Sequence, residues 1–421
     1  MTHVLDDLRW RGLLAMSTDE QALRTALDAG PVTFYVGFDP TAPSLHFGHL
    51  VQVLTARRLQ LAGHRPLALV GGATGLIGDP KDTGERSMND PDVVAGWVGR
   101  LRAQIEPFLE FTGENAAEMV DNLDWTASLG TIEFLRDVGK HFSVNRMLDR
   151  EAVAVRLATS GISYTEFSYV LLQSNDYLQL HRRYGCSLQL GGSDQWGNIT
   201  AGCELIRRVA GARVHALATP LMTKADGTKY GKTEGGTIWL DPAMTTPYAF
   251  YQFFVTVEDA NVGSLLRVFS FRDREQIEEL EQAAKERPAA REAQRALAEE
   301  VTTLVHGASA AAQAAAASRA LFGHGDLEGL EPATLDAALR EAPHVVVPAA
   351  GSPSVVDLLT DAGLVGSRSA ARRAVEEGGA YVNNLRVTDA EAIVPDEAWL
   401  FGRYLVLRRG KRSVGGAIRE G

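Results

Sequence analysis

Apolar and polar positions along the chain fall into three regimes. In the first half, short runs rich in β-branched and aromatic residues alternate with stretches of helical spacing. Thr33–Phe38 and the continuous apolar run Arg65–Val70 predict strands. Leu50, Val51, Val53, Leu54, Leu59 and Leu61 predict a helix that starts near Ser44 as N-cap and stops at Gly63. Helices are also predicted within residues 1–30, over Val93–Phe111 and Ser128–Leu148 around a short strand near Glu118–Leu123, and over Ser163–Tyr177. Cys186–Asn198 reads as a strand, a glycine turn and a helix. The alternation predicts an α/β fold with a parallel sheet and sites at its carboxyl edge, over residues 1–243.

Beyond Asp241-Pro242 the strand signals stop. Tyr248–Phe254, Val262–Phe269, Arg274–Lys285 and the alanine-rich Ala289–Phe322 predict a helical domain, 244–330. Several prolines and weak periodicity make 331–353 a connector. A small module follows over 354–421.

The 421-residue length calls for two or three domains, and 45% apolar with 23% charged residues is ordinary for a soluble globular chain. No apolar run is long enough to span a bilayer, and early charges at Asp6, Asp7, Arg9 and Arg11 exclude a signal-peptide core. With two cysteines the expected compartment is the reducing cytoplasm. The net charge of -11 argues against a generally nucleic-acid-coating surface, yet residues 353–421 carry +1. Arg403, Arg408, Arg409, Lys411 and Arg412 cluster there beside Tyr404, which fits either a solvated face or an RNA contact.

The candidate chemistry sits where strands end. His46-Phe47-Gly48-His49 falls at a helix N-terminus, where free N–H groups, the helix dipole and two imidazoles suit a nucleotide. Metal ligation is the alternative, but Cys186 and Cys203 form no Cys-x-x-Cys pair to complete a site. Asp79, closing the loop Gly71–Pro80, is a turn former or a carboxylate for a substrate cation. Tyr169, Gln173 and Asp176 share one helix face at i, i+4 and i+7 and make either a pocket wall or a row of satisfied core groups. In Gly191-Gly192-Ser193-Asp194-Gln195, Asp194 could accept from ribose hydroxyls and Gln195 could donate to a phosphate or carboxylate. Lys224, Lys229 and Lys232 lie on a glycine-containing stretch expected to move and close over a triphosphate; it falls one residue short of a Walker loop.

Taken in order, these motifs closely resemble the bacterial tyrosyl-tRNA synthetases, a family of class I aminoacyl-tRNA synthetases, over essentially the whole chain. His46–His49 is similar to the class signature usually written HIGH, and Lys229-Tyr230-Gly231-Lys232-Thr233 to the one written KMSKS. The resemblance implies a Rossmann-like catalytic domain, an anticodon-side helical domain and a small α+β S4-like RNA-binding domain. It implies that Tyr35 and Asp176 bind the substrate phenol, and that Asp79, Tyr169 and Gln173 hold its ammonium. Asp39, Gly48, Gly192, Asp194 and Lys232 would bind ATP, which brings Mg2+. Thr41, His46, His49, Gln195, Lys229 and Lys232 would serve the chemistry, with no resident metal. Arg372, Arg373, Arg408, Arg409 and Lys411 would contact tRNA(Tyr), and the family is homodimeric. Two departures stand out. The loop between Asp79 and Arg86 is one residue shorter than in many relatives, which leaves Lys81 and Arg86 without an assigned pyrophosphate contact, and Val36 stands where a polar residue is frequent. The competing expectations are a tryptophan-specific relative, a small nucleotidyltransferase, and an RNA-binding protein that has kept the fold without catalysis.

Overall fold

The structure is a computed structural model that describes residues 3–80, 88–223, 230, 232–233, 236–349, 351 and 353–420, with main chain alone at 151–152 and 232–233. It divides into two compact units, residues 1–241 with 267–269, and 242–266 with 270–421.

The first unit is built on a six-stranded sheet. Its strands are β1 Met16–Ser17, β2 Thr33–Phe38, β3 Arg65–Val70, β4 Glu118–Asp121, β5 Leu188–Gly192 and β6 His215–Thr219, in the order β1-β6-β5-β2-β3-β4. All are parallel except β1, which runs antiparallel on β6. Phe34, Tyr35, Val36 and Phe38 are buried, as expected of a central strand covered on both faces. From β2 the chain progresses outward through β3 and β4, then crosses back to place β5 on the other side of β2. The order therefore reverses between β2 and β5, which is where ligands bind in such sheets.

Two local expectations change. The helix after β2 spans Phe47–Leu61 and its N-cap is His46, not Ser44. Ser44 is buried instead: its hydroxyl donates to the Leu45 carbonyl at 2.7 Å and accepts from the Asp241 N–H at 3.0 Å. The segment expected as one helix over Ser128–Leu148 is broken into Thr131–Asp137, a 3-10 turn at Gly139–His141, and Val144–Leu148. The long helix Tyr164–Tyr184 runs from a Ser163 cap to Gly185, whose φ of +65° supplies the left-handed stop. It packs Tyr177, Leu178 and Leu180 into one core with Tyr35, Leu67 and Trp125. A buried ion pair, Arg156 to Glu166 at 2.9 Å, fastens the preceding helix Glu151–Thr159 to its first turn. A two-residue hairpin, β7 Lys232–Thr233 with β8 Gly236–Thr237, follows β6.

In the second unit the helices Pro247–Val255, Asp259–Phe269, Arg274–Glu286, Glu292–His306 and Ala308–Ala320 appear close to where their patterns lie. The stretch 331–353, expected as a connector, is instead structural. It holds a helix, Pro332–Glu341, and a strand, β9 His344–Val347, in a five-stranded sheet with β10 Ala380–Val382, β11 Leu385–Arg386, β12 Tyr404–Arg409 and β13 Ser413–Arg419. β9 pairs in parallel with β13. Leu335, Ala338 and Leu339 share one buried helix face, packed with Ala317, Leu321, Tyr404, Val406 and Ile418. The helices and the C-terminal sheet thus share a hydrophobic core. The prolines that suggested a connector include Pro332, which sits in the first turn, where a missing N–H costs nothing.

Candidate active site

The carboxyl ends of β2, β3, β4 and β5, with the helix Tyr164–Tyr184, bring together most of the polar residues singled out in the sequence. At one end, Tyr35 on β2 is 1% exposed, and its hydroxyl has no hydrogen-bond partner. Burial, and then the nearby Asp176 charge, pushes its pKa well above the ordinary phenol value. Asp176 is itself buried, and each carboxylate oxygen accepts one bond: Oδ1 from Trp125 Nε1 at 2.8 Å, Oδ2 from Asn122 Nδ2 at 2.9 Å. Burial lifts its pKa to about 7 against the pull of those two donors.

The same Asn122 amide continues the network. Its other N–H donates to Thr74 Oγ1 at 2.8 Å, Thr74 donates to Asp39 Oδ1 at 2.6 Å, and Tyr169 donates its hydroxyl to Asp39 Oδ2 at 2.6 Å. Asp39, expected at ATP, therefore has both oxygens engaged, by Thr74 and Tyr169. This approach requires glycine at position 71, because a Cβ there would overlap both Asp39 Oδ1 and Thr74 Oγ1. At Gly72 a Cβ would meet the Asp121 carboxylate, whose Oδ1 instead accepts the Gly72 N–H at 3.1 Å.

A second cluster forms around Asp79. Gln195 Nε2 donates to its Oδ2 at 2.8 Å and Asn198 Nδ2 to its Oδ1 at 3.1 Å. Arg150 steadies this group by donating to Asn198 Oδ1 at 2.7 Å and to the Gly197 carbonyl at 2.5 Å. Burial pulls the Arg150 pKa down while Asp79 holds it up. Gln173 Oε1 is buried without a partner, and so is Oε1 of Gln189, which lies opposite Tyr35 in the β2–β5 register.

At the N-terminus of the helix Phe47–Leu61, the rings of His46 and His49 stack with centroids 3.9 Å apart. His46 Nδ1 accepts the Gly48 N–H at 3.0 Å, and His49 Nδ1 accepts the His46 N–H at 3.3 Å. Because each Nδ1 is an acceptor, each ring carries its proton on Nε2, directed away from its own backbone as a donor. Burial, with His46 beside it, drives the His49 pKa well below the usual imidazole value, so this ring is neutral at pH 7. Gly48, Thr41 and Asp194 are exposed along this edge, and Gly192 is half-buried. A Cβ on Gly192 would overlap the Asp194 carboxylate. Among the described residues no group of three or more His, Cys, Asp or Glu could hold a metal.

Lys224, Lys229, Lys81 and Arg86, and the side chain of Lys232, lie outside the described residues. Tyr230 of the same motif has its N–H on the Met222 carbonyl and its ring 6.0 Å from Phe47. In the C-terminal module Arg372 and Arg373, on the helix Arg368–Glu376, and Arg409 and Lys411, at the turn between β12 and β13, are exposed, and Arg372 pairs with Glu391 at 3.1 Å. Arg408, expected to face RNA, is 9% exposed with its guanidinium 4.7 Å from the Tyr381 ring. It fills space that only a glycine at 323 leaves open. Its place on β12 explains this: the strand is covered on both faces, Leu405 and Leu407 in one core and Tyr404 and Val406 in another, so Tyr404–Arg408 are all buried and only Arg409, at the strand's end, is exposed.

Sequence reasoning missed Thr74, Asn122, Trp125, Arg150, Gln189 and Asn198. Asn122 follows β4 directly, so its position at a strand's carboxyl end was a usable signal; Arg150 carried none.

Comparison with known proteins defines the class first. A family model for class I tRNA synthetases of the tryptophan and tyrosine type matches residues 27–323, and one for the SYY-like C-terminal domain of tyrosine–tRNA ligase matches residues 334–414. Among curated proteins, the tyrosine–tRNA ligases of Streptomyces coelicolor and Kineococcus radiotolerans are each 67% identical, over 98% of this chain and 98% of theirs. That of Mycobacterium tuberculosis is 57% identical over 99% of both. Among solved structures, a C-terminally truncated mitochondrial tyrosyl-tRNA synthetase of Coccidioides posadasii aligns with a TM-score of 0.66 at 31% identity, covering 75% of this chain and 91% of that one. The chain belongs to the tyrosine–tRNA ligase family. No helix among the described residues is long and apolar enough to cross a membrane.

Proposed function

We propose that this site activates L-tyrosine with ATP and passes the tyrosyl group to the 3' end of tRNA(Tyr). The observation that carries the reading is the buried pair at the ring end: an unpartnered Tyr35 hydroxyl near an Asp176 carboxylate held by two donors, Trp125 and Asn122. As a carboxylate Asp176 can only accept, so the substrate phenol donates a hydrogen bond to it and accepts one from the Tyr35 hydroxyl. An amino acid without that hydroxyl leaves both groups unpaired, which is costly in a buried site. Asp79, Tyr169 and Gln173 hold the ammonium.

In the first step a carboxylate oxygen of tyrosine attacks the α-phosphorus of ATP. The bond to the bridging oxygen breaks and pyrophosphate leaves with the electron pair. The carboxylate is already ionised, so catalysis is placement and charge stabilisation. His46 and His49 donate through Nε2, aided by Thr41. Lys229 and Lys232 act on the pyrophosphate, and Gln195 steadies the reacting carboxylate. Gly48, Gly192 and Asp194 take the adenosine and ribose, and Mg2+ enters as part of the ATP substrate. In the second step a ribose hydroxyl of the terminal adenosine attacks the acyl carbon and AMP leaves.

The helical region faces the anticodon side of the tRNA, and Arg372, Arg373, Arg409 and Lys411 contact its backbone. The exposed apolar residues Ile132, Leu135, Val144, Leu148, Val155 and Leu157 form the face of a homodimer, which analytical ultracentrifugation tests. We place the reaction in the cytoplasm, in keeping with free thiols at Cys186 and Cys203. The deciding experiment is exchange of labelled pyrophosphate into ATP: we expect it with tyrosine, and exchange driven only by tryptophan overturns the assignment.

A further inference from the structure

Every hydrogen in the network joining the two ends of the amino-acid pocket has one possible direction. Asn122 Oδ1 accepts the Ala73 N–H at 2.7 Å, so its amide cannot be flipped and both of its N–H groups point out, to Asp176 and to Thr74. Thr74, accepting from Asn122, must donate to Asp39, and Tyr169 must donate to the other Asp39 oxygen. Thr74 is 3% exposed and Asn122 is fully buried, so water has little access to either side chain. The Thr74 hydroxyl thus links the half that grips the phenol, Asn122 with Asp176, to the half that orients Tyr169 toward the ammonium.

We propose that Thr74 is a positioning residue that couples recognition of the phenol to the holding of the ammonium, so that tyrosine is read as one object. The inference rests on the ligase reading above. Removing the hydroxyl leaves one Asn122 N–H without an acceptor and one Asp39 oxygen without that donor. Asn122 can then turn away from Asp176, which loosens the reading of the ring hydroxyl as well as the Tyr169 end.

The test measures kcat and KM for pyrophosphate exchange with L-tyrosine and with L-phenylalanine, using full-length wild type, Thr74→Val and Thr74→Ser. Phenylalanine shares the ammonium and lacks the phenol. Thr74→Val should lower kcat/KM for both amino acids, and for tyrosine by roughly tenfold more, through KM for the amino acid and not KM for ATP. Thr74→Ser, which restores the hydroxyl, should return the tyrosine to phenylalanine ratio to within about twofold of wild type. If Thr74→Val does not fold, Thr74→Ala carries the same comparison. An equal loss for both amino acids, or a loss that serine fails to rescue, overturns the role of Thr74. A wild-type protein without tyrosine-dependent exchange overturns the ligase reading itself, so the two failures are distinct.

Discussion

The Tyr35–Asp176 group and the His46–His49 group are built on opposite plans. The first is buried: Asp176, Asn122, Thr74, Asp39 and Tyr169 satisfy one another in fixed directions, while the Tyr35 hydroxyl and Oε1 of Gln173 and of Gln189 are left without a partner. The surroundings of the second are more exposed. Its histidines use Nδ1 to cap their own helix, which leaves the proton on Nε2, and Thr41, Gly48 and Asp194 are exposed around them. Selecting an amino acid requires a rigid mould whose every vacancy is penalised. Stabilising charge that appears only during reaction requires donors held in place beforehand.

The largest effect that tests this contrast falls in the His46–His49 group. His49→Ala should lower kcat for exchange by about a hundredfold or more while leaving tyrosine affinity nearly unchanged, measured by stopped-flow and equilibrium binding. A matched loss of tyrosine affinity would erase the division of labour. In the Tyr35–Asp176 group, Tyr35→Phe should cost about tenfold in tyrosine affinity. It should also raise the melting temperature of the ligand-free protein, because a buried hydroxyl without a partner is removed.

The pH response sharpens the same point. Asp176 is raised from 3.8 to about 7 by burial, so the folded protein holds this proton more tightly than the unfolded chain. Its contribution to stability is therefore full below the lower value and is lost as pH rises toward about 7. Tyrosine kcat/KM should rise over the same range as the acceptor ionises. In Asp176→Asn the corresponding step in melting temperature against pH should vanish.

The smallest effects are expected in the C-terminal sheet, where neighbours on one strand are predicted to part company. Arg409→Ala should weaken tRNA binding a few-fold and reduce its salt dependence by about one unit of slope, with unchanged melting temperature. Arg408→Ala should lower the melting temperature, since its side chain is packed beneath Tyr381.

Much of the catalytic unit was legible because its signals are local. β2 and β3 are continuous apolar runs that only a covered parallel sheet accommodates, and the Ser163 and Gly185 ends of the long helix carry their own cap chemistry. Tyr169, Gln173 and Asp176 were legible as one row because helical spacing alone puts them on one face. The connector over 331–353 was misjudged because its helix is short, and its strand is stabilised by pairing with residues about seventy positions further on. Arg408 was misjudged because a count of charges does not say that both faces of its strand are covered.

By itself the sequence determined the strands and helices, their order, and which residues stand at strand ends, since backbone preference and side-chain period act over a few residues. Only the tertiary structure decided what those ends do for one another. The hydroxyl of Thr74, the amide of Asn122 and the indole of Trp125 acquire a purpose when separate strands converge, and directional hydrogen bonds in a buried site depend on positions no local pattern records.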